Sequence, residues 1–172
     1  MMTILMADVV LSNWYGYPNN IKHEFPNLFR RSFFITAYSI FESGLQNRCK
    51  YMEENFKLNE SVIDLPGRGI RRSKNYLEKV VGLKISNPKE WHEVLAYNKL
   101  RNCFVHNNGF ATKSDDEKFL RNYISKHNFL ELDYDEVIIG KEFCEEAIKN
   151  FETFEDYISE SFSNWLINSV KP

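Results

Sequence analysis

The sequence predicts an all-α fold, a helical bundle with a small β-hairpin near residues 129–139. Two observations carry this. Apolar residues recur at spacings of three and four in the segments about 26–56 and 141–168, the repeat of one helical face. One stretch alone, Phe129 to Ile139, alternates in the manner of a strand pair, and a lone hairpin is marginal without a helical body to pack on.

The elements follow in order. Thr3–Asn13 reads as a short helix closed by the turn-forming run Trp14-Tyr15-Gly16-Tyr17-Pro18-Asn19-Asn20. Pro26 suits a helix start, and from there to about Phe56 no further Pro and a single Gly, Gly44, interrupt the pattern of Phe33, Phe34, Ala37, Ile40, Phe41, Leu45 and Cys49. Asp64 to Gly69 is a loop by composition. A short helix over about Ile70–Val81 follows, then a helix from Lys89 to about His106 that stops at Asn107-Asn108-Gly109. Ser114 with Glu117 three residues on predicts a capping box opening a helix to about Lys126. The last helix runs from Lys141 to about Asn168.

Composition bounds the function. The chain of 172 residues is 43% apolar and 27% charged, the make-up of one folded domain (residues 1–172, core about 26–168). A net charge of −2 excludes a strongly basic tail-type nucleic-acid binder. The charge is uneven, however. Residues 1–130 carry 19 Lys and Arg against 13 Asp and Glu, a net of +6, whereas 131–172 carry 3 against 11, a net of −8. No apolar run reaches the ~18 residues of a membrane span, and Met1 to Asp8 lacks the basic start of a signal peptide. Cys49, Cys103 and Cys144, odd in number and without paired spacing, read as reduced thiols of a cytoplasmic protein. No His or Cys pair has metal-ligand spacing, and Gly67-Arg68-Gly69 lacks the length and the Lys-Ser/Thr ending of a phosphate-binding loop, so no cofactor is expected.

The helix Lys89–His106 departs from amphipathicity. At 100° per residue, Trp91, Val94, Leu95, Tyr97, Leu100, Phe104 and Val105 surround nearly the whole cylinder, which marks a helix buried on most sides. Asn98, Arg101, Asn102 and His106 interrupt it. A buried polar group without a partner costs about 1–3 kcal/mol. These four therefore pair with another element, line a cleft or meet a second subunit.

The run Leu100-Arg101-Asn102-Cys103-Phe104-Val105-His106 resembles the signature of the HEPN domain superfamily, an Arg followed by a polar residue with a His a few positions on. Ile40-Phe41-Glu42 on the long helix, the loop Leu65-Pro66-Gly67, Tyr76-Leu77 and Trp91 are similar to stand-alone bacterial and phage members, and the resemblance spans about 26–168. A second match, Arg121-Asn122 with His127, lies among Asp115, Asp116, Glu117, Lys118 and Lys126, which reads as an exposed face and a coincidence.

The resemblance implies a metal-independent endoribonuclease, a toxin or host-defence effector, that dimerises through the motif helix. The residue types suit that chemistry. His106 can take or give a proton near neutral pH, the Arg101 guanidinium can bind the extra charge of a phosphorane, and Asn102, four residues before His106, can orient the phosphate or the imidazole. Arg101 and His106 stand about 140° apart around the helix, so a cleft shared by two chains serves better than one face. Glu42 is the acid placed nearest the motif, with a salt bridge to Arg48 or Arg31 as its alternative. Arg68, Arg71, Arg72 and Lys74 are candidates for an RNA-binding rim. RNA, a second copy of the chain and an antitoxin or other regulatory protein are the expected partners. The alternative function is a HEPN module without catalysis that binds a protein or nucleic acid.

Overall fold

The computed structural model describes the backbone of residues 2–85 and 88–169, and the side chains of 24–85 and 89–168. It is helical throughout apart from one hairpin, as expected. Helix α1 spans Met2–Asn55, α2 Gly69–Lys79, α3 Pro88–Asn107, α4 Glu117–Ile124 and α5 Lys141–Ser169, with β1 Leu130–Asp133 and β2 Glu136–Ile139 antiparallel between α4 and α5.

Two boundaries differ from expectation. The turn at Trp14–Asn20 does not form, and α1 continues through it and through Pro18 and Pro26. A proline costs one hydrogen bond and bends a helix, but each further residue added to an existing helix gains a bond. Ser114 is not the cap of α4 either. Its hydroxyl accepts from the N–H of Asp116, at 3.2 Å, and Asp116 is the residue that precedes the helix.

The core lies where α1, α3 and α5 meet. Phe34, Tyr38, Phe41, Leu45, Cys49 and Met52 of α1 face Phe143, Ala147, Phe151, Phe154 and Ile158 of α5. Tyr97 of α3 packs edge-on against both Phe143 and Phe151, with ring centroids 5.7 and 5.4 Å apart. Full burial of each such side chain stabilises the fold by about 1.5–3 kcal/mol. Helix α3 touches α1, α4 and α5, which cover most of its apolar surface and leave Val105 exposed.

The hairpin, marginal by itself, is held by α1. Val137 and Ile139 turn their backbone groups away from β1, and α1 supplies the partners. Asn27 donates to the Val137 carbonyl and accepts from the Ile139 N–H at 3.0 Å, Arg30 donates to the Ile139 carbonyl at 3.1 Å, and Arg31 donates to the Val137 carbonyl. Side chains thus complete the strand edge that would otherwise stay open. The remaining Val137 N–H donates to Gly109 just beyond α3, at 2.9 Å. Asn108 and Gly109 take positive φ values of 52° and 83°, and the Gly109 N–H donates to the Cys103 carbonyl, so the expected cap closes the motif helix. All three cysteines are free and buried, and among the described residues no helix is long and apolar enough to cross a membrane.

Candidate active site

Arg101, Asn102 and His106 occupy the last two turns of α3, where the chain must bury Leu100, Cys103 and Phe104 and so turns the polar positions outward. The Arg101 side chain swings around the helix to donate from Nη1 to Asn102 Oδ1 at 3.0 Å. The Arg101 Nε is buried without a partner, a free donor on a held guanidinium. His106 is exposed one turn beyond Asn102, and among the described residues nothing bonds to its ring. Within one chain Arg101 and His106 are not brought together.

Tyr38 marks where α1 meets this face. It is fully buried, and its hydroxyl accepts from the Asn98 amide at 2.6 Å. Burial raises the tyrosine's pKa; the Asn98 bond and the Arg101 charge oppose the rise, and the Glu42 charge adds to it. Glu42 and Arg101 both lie within electrostatic reach of that hydroxyl, and among the described residues Glu42 bonds to neither Arg101 nor His106. Its two alternatives do not form, because Arg48 pairs with Glu155 and Arg31 with Glu136.

Glu42 also meets the start of α2. Gly69 there has φ of +52°, and a Cβ on it would collide with Glu42 Oε1. Gly69→Ala should therefore lower stability by about 1–2 kcal/mol, from the left-handed backbone, and displace the Glu42 carboxylate; denaturant titration reads the first effect. A variant as stable as the wild type would contradict this contact.

The four basic candidates divide. Arg68 and Arg71, flanking Gly69 beside Glu42, are exposed, and among the described residues make no ion pair. Arg72 instead donates from Nε to the Gly67 carbonyl at 2.9 Å, holding the loop. Lys74 pairs with Glu78 and lies over the Trp91 ring, 5.1 Å from its centroid, so it is occupied within the fold. Cys103, inside the motif, is inert: burial pushes its thiol up to about 11.

The second motif match is only in part the exposed face expected: Arg121 stays at the surface, whereas His127 is largely covered. His127 packs against Phe129 and Phe143. Its Nδ1 accepts from the Phe129 N–H and its Nε2 lies 3.0 Å from Glu146, while Arg121 pairs with Glu117 and Asp135. Arg121 and His127 thus brace α4 against neighbouring segments. Sequence reasoning also missed Tyr38 and Asn98 as one unit. Asn98 was visible as a polar interruption, but an aromatic in an apolar stripe carries no sign that its hydroxyl matters. Among the described residues no three His, Cys, Asp or Glu side chains converge as metal ligands. No protein-family model, curated protein or solved structure matches the chain.

Proposed function

We propose that the chain is a metal-independent endoribonuclease of the HEPN type, acting as a toxin or antiphage effector at a cleft between two copies paired through α3. The observation that carries this is the Arg101 guanidinium, held beside Asn102 in the last turns of α3 and, among the described residues, without a carboxylate partner. A guanidinium so placed can take a phosphate. Arg68 and Arg71, exposed at the start of α2, add positive charge to the surface.

The reaction follows from the residue types. His106 removes the proton of an RNA 2′-hydroxyl, whose oxygen attacks the adjacent phosphorus. Arg101 binds the charge that grows on the phosphorane oxygens. The 5′-oxygen departs with a proton returned by an imidazolium, leaving a 2′,3′-cyclic phosphate and a 5′-hydroxyl. Because Arg101 and His106 of one chain stay apart, the His106 serving a given Arg101 comes from the second copy.

The alternative, a HEPN module without catalysis, requires Arg101 and His106 to be tied up by a carboxylate such as Glu42. Among the described residues neither makes an ion pair, which favours the nuclease. An RNA oligonucleotide should be cut while its all-2′-deoxy counterpart remains intact. Equal cutting of both, read on a denaturing gel, would contradict attack by the 2′-hydroxyl.

A further inference from the structure

Among the described residues, a broad exposed apolar surface lies away from this site. Phe25, Phe29, Phe33 and Ile40 recur along α1 at spacings of four, four and seven and are 61%, 63%, 44% and 69% exposed. With Leu28 beside them they present roughly 500 Å² of apolar area, toward the upper end of what a lone monomer leaves to water and a size at which patches are often functional. The stripe opens into a groove between α1 and α5. One end, of about 360 Å³, is lined by Phe29, Phe33 and Cys144. The other, of about 610 Å³, is lined by Ala37, Ile40, Gly44 and Phe151. Ile148 lines both ends and makes them one groove.

We infer that this groove is the seat of a second copy of the chain, lying antiparallel across a two-fold axis near Ile40 and Ile148. The argument is charge placement. Helices α1 and α5 run in parallel, since Arg30 meets Cys144 and Arg48 meets Glu155 further along both. Lys141, Arg30 and Glu145 stand at one end of the groove, net positive although Glu145 pairs with Lys141 at 3.5 Å, and Glu152, Glu155, Asp156 and Arg48 stand at the other, net negative. Lys141 and Asp156 are about 22 Å apart along α5. A two-fold axis midway sets the basic end of each copy on the acidic end of the other, as an isologous interface requires. Arg48 already holds Glu155, whereas Glu152 and Asp156 make no ion pair among the described residues. Ile40 and Ile148 lie at the centre of an interface of about 800 Å² per partner, and Phe29 and Phe33 extend it toward the ends that carry the charges.

This surface points away from the candidate active site, because Ile40 and Glu42 project about 200° apart around α1. It therefore stands whether or not the α3 pairing does, and with both interfaces the assembly is a tetramer.

The test is molar mass by light scattering on the full chain. Ile40→Glu, at an exposed position next to the axis, should halve the mass of the wild type with the far-ultraviolet dichroism unchanged. Lys141→Glu alone, and Glu152→Lys with Asp156→Lys, should each weaken association, and the triple variant should restore it. Equal masses for wild type and Ile40→Glu would overturn the inference. So would a triple variant no better than its parents, which would assign the face to a different protein. Neither result bears on RNA cleavage, which is read separately.

Discussion

Arg31→Ala is expected to lower the thermal midpoint by about 10 °C, the largest stability loss from any single polar side chain of this fold. Arg31 is 5% exposed, and four groups converge on its guanidinium. It donates to the Asn108 carbonyl at 3.2 Å and to the Val137 carbonyl, pairs with Glu136 at 2.8 Å, and lies over the Phe104 ring. Gly109 packs so closely that a Cβ there would sit 2.6 Å from the guanidinium. Burial lowers the Arg31 pKa and the Glu136 carboxylate opposes that, yet an arginine stays charged. Truncation strands the Asn108 carbonyl and leaves Val137 with Asn27 as its side-chain donor. Glu136, partly exposed, regains water. The loss is therefore near the lower end for breaking a buried pair, about 3 kcal/mol, which at ~2–4 °C per kcal/mol gives the shift stated. Arg121→Ala removes an exposed pair and should cost no more than about 1 kcal/mol. Calorimetry of both variants checks the contrast, and equal midpoints would contradict the clamp.

Arg31 shows what the sequence could not reveal. In a run of helical spacing it reads as one more surface charge, and its role depends on a hairpin more than a hundred residues away. The same holds for His127, whose partner Glu146 comes from packing rather than local pattern, and for the Trp91 ring under Lys74, though the Lys74–Glu78 pair is local. The hairpin and the α3 stop were legible because alternation and an Asn-Asn-Gly run act locally. The polar interruptions of α3 were legible too, because polar residues on an otherwise apolar cylinder stand out. What they face was not. The start of α1 was misread because turn composition in 14–20 is a local signal that helix propagation overrides.

His106→Ala and Arg101→Ala should each abolish most RNA cleavage. Loss of a positioned proton-transfer group costs about 10²–10⁴ in rate, and loss of a donor to developing phosphorane charge about 10²–10³. Asn102→Ala should cost less, since it frees Arg101 without removing it. His106 is exposed and Arg101 half-buried at the end of α3, so the stability of both variants should stay within about 1 kcal/mol of wild type. Mixing the two inactive variants should recover up to a quarter of the activity, because half the chains pair as mixed dimers and each of those holds one intact site. Mixtures as inactive as their parents would place both residues of a site in the same chain.

The most direct measurement is incubation of the purified protein with total RNA in excess EDTA, beside His106→Ala and Arg101→Ala, with the product ends analysed. The account predicts cleavage by the wild type alone, leaving 2′,3′-cyclic phosphate ends. Intact RNA from a folded wild type, or cleavage that survives in either variant, would contradict it.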